Sequence, residues 1–183
     1  NLDEDTNYML FFGIIRKYKG LDTLLKAFAD ERLQSQNLKL IVAGEFYEND
    51  KPYLDLITKY NLSDSIVMHA NFIPDNDVVN YFCAADIIVQ PYKHATQSGV
   101  TQIAYHFEKP MLVTDVGGLA EIVPHNKVGY VTSQEPNDIE NSITDFYLND
   151  KENDFIIGIK DEKKKYSWEI MVSNIKKILE SIH

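Results

Sequence analysis

Short apolar runs alternate with segments of helical periodicity along most of the chain. The runs are brief, continuous and rich in branched residues, which is typical of strands that helices cover on both faces; they span residues 9–12, 38–43, 66–69, 87–89, 111–114 and 129–131. The segment after the first run has apolar residues at helical spacing, at Leu21, Leu24, Leu25 and Phe28. Further helices are predicted over residues 51–60, 74–85, 100–107, 119–123 and 137–148. This alternation predicts a doubly wound, Rossmann-like α/β fold, a parallel sheet of about six strands with helices on both faces.

The C-terminal part of the chain is more polar. Residues 149–165 are rich in charge, and we expect them to lie at the surface and to end in the three lysines at 163–165. These lysines mark an exposed helix end or, alternatively, a contact with an anionic membrane. A last amphipathic helix is predicted with Ser167 as its N-cap, and its apolar face carries Trp168, Met171, Val172, Ile175, Leu179 and Ile182. We expect that face to pack on the domain or on protein outside this chain.

Length, charge and cysteine content narrow the class of protein. With 183 residues and 44% hydrophobic content, we expect one domain over residues 1–183, including a terminal helix over 166–183. The net charge of −10 argues against non-specific nucleic-acid binding. No apolar run reaches the roughly 18–20 residues that cross a bilayer, and nothing at the start resembles a secretion signal. For these two reasons we expect a cytoplasmic location. The single cysteine, Cys83, lies in an apolar helical segment and is expected to be a buried thiol.

The first candidate site is the turn that follows the first strand. Gly13 ends the strand, the cations Arg16, Lys17 and Lys19 follow, and Gly20 precedes the helix. A cationic turn that leads into a helix N-terminus is where an α/β fold holds phosphate. A solvated basic loop has the same composition, so both interpretations stay open at this point.

Two more loops follow strands at the same edge of the predicted sheet. Residues 91–100 offer hydroxyls, amides and Gly99 before a helix whose first backbone N–H groups are free to bind an anion. Residues 114–121 carry the pair Gly117-Gly118, which permits close backbone approach. Each loop alone is compatible with a plain connection. Three such loops at one edge favour a common ligand site.

The order of several motifs resembles a known family. The motifs are Phe11-Phe12-Gly13, Lys19-Gly20-Leu21-Asp22, Val42-Ala43-Gly44, Phe72-Ile73-Pro74, Ala84-Ala85-Asp86, Lys109-Pro110, and Thr114-Asp115-Val116-Gly117-Gly118 with Glu121. Together they resemble a family-4 retaining glycosyltransferase, and specifically the C-terminal, donor-binding half of the two-domain GT-B architecture. The resemblance covers residues 8–148 and includes the final helix. It implies that a nucleotide binds at the carboxyl ends of the strands. It also implies a reaction of the hexosyltransferase type, in which a sugar is transferred from a nucleoside diphosphate with retention at the anomeric carbon.

The resemblance implies catalytic roles for two cations of the first turn. Lys19 matches the family lysine that contacts the donor diphosphate, where a cation neutralises the charge of the departing group. The family has an arginine directly after the first glycine, Gly13; this chain has Ile14 there, and Arg16 is the expected substitute. If the turn is helical, Arg16 and Lys19 share a face and Lys17 is solvated.

The loop after the fourth strand departs from the family pattern. Many members carry two glutamates there, one touching the transferred sugar and one the ribose hydroxyls. The matching positions in this chain are Ala95 and Ile103, so both carboxylates are absent. The string Thr96-Gln97-Ser98-Gly99 instead resembles a subset of the family. The departure is the basis for an alternative function, a degenerate nucleotide-binding domain without catalysis.

The resemblance also implies the residues that bind the donor. They are Gly13, Ile73, Ser98, Gly99, Val100, Thr101 and Gln102. The backbone N–H groups of residues 98–100 are expected to bind the phosphates, and either Thr101 or Gln102 is expected to bind the ribose. The backbone around Ile73 is expected to bind the base.

These expectations add up to the donor-nucleotide domain of a sugar transferase acting on a glycan or lipid-linked acceptor, as in polysaccharide biosynthesis. The nucleotide sugar is a substrate, no cofactor is implied, and no Asp, Glu and His cluster has metal-ligand spacing. The donor motifs begin within the first twenty residues, so we expect the N-terminal acceptor domain to be missing and the isolated chain to be inactive. Peripheral membrane association is an expectation for the full-length enzyme. A nucleotide-sugar epimerase is a second alternative, and a dehydrogenase is disfavoured because the first turn lacks Gly-x-Gly-x-x-Gly.

Overall fold

Six parallel strands form one sheet in the computed structural model, which describes residues 3, 5–166 and 168–181. The strands are β1 (Asn7–Phe12), β2 (Leu38–Ala43), β3 (Ile66–His69), β4 (Ile87–Gln90), β5 (Met111–Thr114) and β6 (Gly129–Thr132), and they lie in the order β3-β2-β1-β4-β5-β6. Every strand predicted from the apolar runs is confirmed, and so is the doubly wound fold. Each neighbouring pair is parallel.

The helices fall between the strands as the periodicity predicts. They are α1 (Leu21–Phe28), α2 (Glu31–Gln34), α3 (Lys51–Lys59), α4 (Asp75–Ala84), α5 (Gly99–His106), α6 (Leu119–Ile122), α7 (Pro136–Leu148), α8 (Glu152–Glu162) and α9 (Trp168–Ser181). Short 3₁₀ turns span Lys17–Lys19, Ser63–Ser65 and Lys163–Tyr166. The predicted cap of the last helix, Ser167, lies outside the described residues.

Alternate strand residues supply two apolar layers, one on each face of the sheet. Met9 and Phe11 of β1 join the layer covered by α1, α3 and α7, whereas Leu10 joins the layer covered by α4, α5 and α6. Phe28 and Phe82 are fully buried, one in each layer. Truncating a phenylalanine of this kind to alanine costs about 3–5 kcal/mol. Burial on both faces explains why the strands are continuous apolar runs and do not alternate with polar residues.

The topology places a crevice between the loops that follow β1 and β4. β1 pairs with β2 on one side and with β4 on the other, so the chain leaves β1 and β4 toward opposite faces of the sheet. Ligands of open α/β sheets bind in the crevice outside the carboxyl ends of the strands at such a switch point. The loops 13–20 and 91–98, singled out from the sequence, border this crevice.

The charged segment after α7 differs from the predicted exposed surface. It forms α8, in which Phe155 and Ile159 are buried against the core. Glu162 is also buried, and its carboxylate accepts hydrogen bonds from Lys127 and Lys165. Two buried apolar residues are too few to give a clear helical periodicity in the sequence. The charged residues around them therefore led to the prediction of an exposed surface.

Two further expectations about side chains are corrected or left open. Cys83 is exposed, not buried, because it lies on the outer side of α4. On α9, the described members of the predicted apolar stripe, Val172, Ile175 and Leu179, are exposed. Packing of that stripe on protein outside this chain stays a prediction.

Candidate functional site

The turn after β1 is held between the loops that follow β2 and β4. Gly13 donates its backbone N–H to the Ala43 oxygen at 2.9 Å. Gly20 has a φ of +72°, and a Cβ added there would lie 1.9 Å from the Pro91 oxygen. Only glycine accepts both the backbone angle and the contact. The cationic turn is therefore fixed in the crevice at both of its ends.

Lys19 places a partly buried ammonium in this crevice. Its Nζ lies 3.1 Å from the point that a Cβ on Gly13 would occupy and 5.7 Å from the centroid of the Tyr92 ring. Burial and, second, the positive charge of Arg16 lower the pKa of Lys19 from 10.5 to about 8. Across the described residues, no carboxylate oxygen lies within 4.0 Å of this nitrogen. A buried cation without a protein counter-charge is stabilised by a bound anion.

Arg16 lies near Lys19 but opens on a neighbouring cleft. Its backbone is extended, with φ −128° and ψ 153°, and the 3₁₀ turn starts after it at Lys17. Its guanidinium carbon lies 4.0 Å from the centroid of the Tyr47 ring. Arg16 and Lys19 therefore do not share a helical face. Tyr18 lines both clefts, and Arg16 borders one of them whereas Lys19 borders the other. Lys17 is exposed, as predicted.

Ser98 organises the N-terminus of α5, the second part of the site. Its buried Oγ accepts the backbone N–H of Val100 at 3.2 Å and donates to Gln90 Oε1 at 2.6 Å. The Tyr92 hydroxyl lies 3.3 Å from the same oxygen. Within the described structure, the backbone N–H of Gly99 has no acceptor. Apart from its chain neighbours and the nearby backbone of its own helix, no described heavy atom lies within 4 Å of the position of an added Cβ. Of the three backbone N–H groups predicted to bind phosphate, those of Ser98 and Gly99 have no acceptor in the described structure, whereas that of Val100 already has a partner.

The two residues predicted to bond the ribose are placed differently. Thr101 is fully buried, and its hydroxyl donates to the Ser98 carbonyl oxygen at 2.5 Å, so it is not available to a ligand in the crevice. Gln102 is exposed and lines a cleft between α4 and α5. Thr101 is buried because it lies on the side of α5 that faces the sheet, together with Val100, Ala104 and Tyr105.

Ile103 lines two clefts along α5. The first, which we call the Lys19 cleft, has a volume of about 310 Å³ and also contacts Gln97 and Gly99. The second, the α4–α5 cleft, has a volume of about 380 Å³ and contacts Val79. The structure thus places an isoleucine, where the resemblance expected a carboxylate, in the lining of both clefts.

Ile73 and Ala95, the other positions singled out by the resemblance, lie at the edges of this region. Ile73 lies two residues before the start of α4. It packs, half-buried, against the core layer under α4 and α5, next to the exposed ring of Phe72. Ala95 is half-buried in the loop before α5. The turn after β5 supports that loop, because Gly118 donates its backbone N–H to the Thr96 oxygen at 3.2 Å.

An ion pair ties the β4–α5 loop to the first helix. Lys93 Nζ lies 2.7 Å from both carboxylate oxygens of Asp22, at the start of α1. The backbone N–H of Lys93 also donates to the Tyr18 oxygen at 2.6 Å. These contacts join the two loops that carry Lys19 and Gly99, and they fix the distance between the ammonium and the open amide.

Sequence reasoning missed two residues that build the site, Gln90 and Tyr92. Gln90 is buried, and its Nε2 has no partner among the described residues. Burial raises the pKa of Tyr92 to about 12, so its ring and hydroxyl stay neutral beside Lys19. A usable signal was present, because Gln90 is a polar residue at the end of an otherwise apolar strand, directly before Pro91.

No group of three or more His, Cys, Asp or Glu side chains among the described residues is placed to hold a metal ion. None of the helices in the described part of the chain is long and apolar enough to cross a membrane.

Comparison with known sequences gives a consistent result. The family described as "Glycosyl transferases group 1" matches residues 1–166. An uncharacterised glycosyltransferase of Methanocaldococcus jannaschii is 29% identical over 181 residues, which cover 97% of this chain and 49% of that protein. The lipopolysaccharide 1,2-N-acetylglucosaminetransferase of Salmonella typhimurium is 29% identical over 185 residues, covering 92% of this chain and 47% of that protein. The chain thus spans about half the length of these curated relatives.

Comparison with solved structures gives the same fold. Sucrose-phosphate synthase from Thermosynechococcus elongatus superposes with a TM-score of 0.82 at 22% identity, over 99% of this chain and 46% of that one. The Anabaena protein HepE in complex with UDP superposes with a TM-score of 0.80 at 18% identity, over 97% and 49% of the two chains. A C-terminal domain of a group 1 glycosyl transferase from Francisella tularensis superposes with a TM-score of 0.74 at 19% identity. The superposition covers 88% of this chain and 87% of that one.

Proposed function

Because the chain belongs to the group 1 glycosyltransferases, enzymes of GT-B architecture, we propose that it is the donor-binding domain of a retaining transferase that uses a nucleoside-diphosphate sugar. The observation that carries the proposal is the pairing of Lys19 with the open backbone N–H of Gly99 across one cleft. Lys19 is a partly buried ammonium that has no carboxylate partner among the described residues. A diphosphate supplies the negative charge and the acceptor oxygens that these two groups lack.

The cations account for the chemistry of the donor. When the bond between the anomeric carbon and the diphosphate breaks, negative charge develops on the departing phosphate oxygen. Lys19 neutralises that charge from a site of reduced water access, where a charge interaction is stronger than in bulk water. Arg16 is close enough to lower the pKa of Lys19. A bound diphosphate therefore attracts both cations, and the Gly99 amide orients it.

The comparisons support a donor domain that needs a second half. The chain spans about half of its curated relatives, and one structural neighbour of nearly equal length is described as a C-terminal domain. Another neighbour was solved with UDP, which supports a nucleotide at this fold. In the proposed enzyme the acceptor lies in the other half, so this chain by itself binds the donor without transferring the sugar.

The acceptor class is proposed from the same relatives. The Salmonella protein is named for lipopolysaccharide, which supports a glycan or lipid-linked acceptor and a role in polysaccharide biosynthesis. The proposed transfer is of the hexosyl type. A cytoplasmic enzyme that meets its acceptor peripherally at a membrane fits such a substrate. Ala95 and Ile103, which replace the family carboxylates, favour one alternative: a domain that binds nucleotide but has lost catalysis.

The test is calorimetric titration of the chain with a panel of nucleoside diphosphates. We expect one of them to bind, and Lys19→Met to weaken that binding by about 1.5–3 kcal/mol, because a charged hydrogen bond in a partly desolvated cleft is lost. Lys17→Met is the matched control; it removes an exposed cation and is expected to change binding by less than about 1 kcal/mol. Equal effects of both variants, or no binding by any diphosphate, would contradict the proposal.

A further inference from the structure

The turn after β1 borders a second cleft that is rich in cations and aromatic rings. This cleft, which we call the Arg16 cleft, has a volume of about 410 Å³. Among the described residues, Tyr18 is the one that lines both this cleft and the Lys19 cleft. The rest of the lining includes Arg16 and Lys17 from the turn, Tyr47 and Glu48 from the loop after β2, and His94 from the loop after β4.

Arg16 and Lys17 bring positive charge to this cleft that no carboxylate neutralises at short range. Among the described residues, no carboxylate oxygen lies within 4.0 Å of a side-chain nitrogen of either residue. The guanidinium carbon of Arg16 lies 4.0 Å from the centroid of the Tyr47 ring, a cation–π contact that holds the side chain in place. Its N–H donors have no hydrogen-bond acceptor in the described part of the chain, so they are available to a ligand with acceptor oxygens.

The other polar groups of the Arg16 cleft leave this positive charge in excess. Lys93 also lines the cleft, but its ammonium is paired at 2.7 Å with both carboxylate oxygens of Asp22. Glu48 is exposed and brings one negative charge. His94 is exposed as well, and its imidazole carries an N–H donor in either tautomer. In a chain of net charge −10, the described lining of this cleft thus holds two unpaired cations against one carboxylate.

We propose that the Arg16 cleft binds a phosphate monoester carried by the acceptor. This inference rests on the proposed function and specifies its acceptor class, a phosphorylated saccharide. A phosphate monoester carries about two negative charges at neutral pH and three acceptor oxygens. These match one ammonium and one guanidinium, which binds planar pairs of oxygens, whereas a carboxylate supplies one negative charge. The exposed rings of Tyr18 and Tyr47 offer apolar surface to the rest of such a ligand.

The acceptor is the expected source of this phosphate because the donor has its own site. In the proposed function the donor diphosphate meets Lys19 and the Gly99 amide in the other cleft. Transfer requires an acceptor hydroxyl next to the anomeric carbon, which is bonded to that diphosphate. The Cα atoms of Arg16 and Lys19 are at most about 11 Å apart, since they are three residues apart in the chain. A phosphate in the Arg16 cleft therefore holds the acceptor near the reacting carbon.

The test uses glucose 6-phosphate as the probe, with glucose and inorganic phosphate as matched controls. Each is titrated into the Lys19→Met chain, which lacks the ammonium of the donor cleft, while backbone amide shifts are recorded by NMR. We expect glucose 6-phosphate to shift the amides of residues 16–18, 47–48 and 94, and glucose to leave them unchanged. Inorganic phosphate should bind there no more tightly than glucose 6-phosphate does. Tighter binding of inorganic phosphate, or no shift of these residues by glucose 6-phosphate, would overturn the inference.

A second titration separates the acceptor from the donor as the source of the phosphate. The parent chain is first saturated with a nucleoside diphosphate that binds it, and glucose 6-phosphate is then added. We expect both ligands to be bound at once, with less than about tenfold loss of affinity for glucose 6-phosphate, because the two clefts have different linings. Displacement of the nucleoside diphosphate would place both anions in one site and contradict the proposal.

Charge variants assign the binding to the Arg16 cleft. Arg16→Met is expected to weaken glucose 6-phosphate binding by about tenfold or more, because charged hydrogen bonds are lost. Glu48→Gln is expected to strengthen binding by about twofold to fivefold, because it removes a like charge from an exposed position. The matched control is Lys59→Met, which removes an exposed ammonium 5.1 Å from the Tyr60 ring and outside the lining of this cleft; it should leave the affinity unchanged. An affinity that Arg16→Met does not change, or that Glu48→Gln lowers, would contradict the proposal.

The two levels of the proposal fail in distinguishable ways. Absence of binding by any nucleoside diphosphate contradicts the donor-domain function, and the titration of the Lys19→Met chain does not depend on that binding. A chain that binds a nucleoside diphosphate but not glucose 6-phosphate keeps the proposed function and loses only the inference about the acceptor.

Discussion

Gly117 lies directly against the backbone of Ala95, in the loop that leads into α5. A Cβ added at position 117 would stand 1.7 Å from the Ala95 oxygen, and the φ of Gly117 is +55°. The paired glycines, which the sequence suggested for close approach to a ligand, thus provide close approach to the neighbouring loop. Because that loop ends at Ser98 and Gly99, the turn after β5 positions the open amide indirectly.

We predict that Gly117→Ala destabilises the chain and disturbs the loop before α5. The new methyl group would clash with a carbonyl, and the left-handed backbone alone costs about 1–3 kcal/mol for a residue with a side chain. Thermal unfolding measures the first effect, and the backbone amide shifts of residues 95–99 measure the second. Gly99→Ala is the matched control for stability, since among the described residues no heavy atom beyond its chain neighbours and its own helix backbone lies within 4 Å of the added carbon. Equal melting temperatures for the two variants would contradict the bracing role of Gly117.

Removal of the Ser98 hydroxyl should loosen the start of α5. In Ser98→Ala the N–H of Val100 loses its cap and the buried Gln90 carbonyl loses its donor. We expect a loss of about 1–2 kcal/mol in the free energy of unfolding, measured by urea denaturation. Ser35→Ala removes an exposed hydroxyl that donates to the Arg32 oxygen, and should change stability by less than about 0.5 kcal/mol. A Ser98→Ala variant as stable as the Ser35→Ala control would show that the network contributes nothing.

The lowered pKa of Lys19 predicts a pH dependence of diphosphate binding. The ammonium has a pKa of about 8 in the free chain, so it is charged below that pH and loses its proton above it. Affinity should therefore be constant from about pH 7 to the pKa and then fall, by up to tenfold per pH unit, until the bound form also deprotonates. Titration between pH 7 and pH 9.5 measures this fall. The free energy of unfolding should change in the opposite sense, rising from about pH 8 toward 10.5 as the buried charge disappears.

The variant Lys19→Met serves as the control for this pH profile. It should bind weakly and with nearly the same affinity across the alkaline range, because the titrating group is gone. Lys17→Met should keep the fall of the parent chain, since Lys17 is exposed. An alkaline fall that persists in Lys19→Met would assign the titration to another group.

Transfer of a sugar should require a longer protein than this chain. We predict that a protein carrying both halves forms product from a nucleotide-sugar donor and a glycan acceptor, whereas this chain binds the same donor without transfer. Enforced proximity of the reactants is worth up to about 7–11 kcal/mol and is lost when the acceptor half is absent. Parallel assays with radiolabelled donors compare the two. Product formation by this chain would place the acceptor site within it, and a longer protein that binds donor without any transfer would favour the degenerate alternative.

The fold was predictable because each element is encoded locally. Continuous apolar runs such as residues 38–43 and 111–114 indicate that both faces of the sheet are covered. The helical spacing of apolar residues in α1 indicates which side of that helix is buried. The site could be located for the same reason, since parallel strands bring the loops after β1, β4 and β5 to one edge. The sequence indicates both Lys19 and Gly99, which lie on two different loops, from local motifs alone and without any contact between those loops.

Contacts that arise only when distant segments pack together decided the rest. Arg16 and Lys19 are three residues apart, yet Tyr18 and Tyr47 direct them into different clefts. Thr101 is polar, but its position on α5 turns the hydroxyl inward to the Ser98 carbonyl. Neither the lowered pKa of Lys19 nor the position of Ile103 in the lining of two clefts has a signature in the sequence. Burial and proximity depend on which elements pack around a residue and not on its neighbours in the chain.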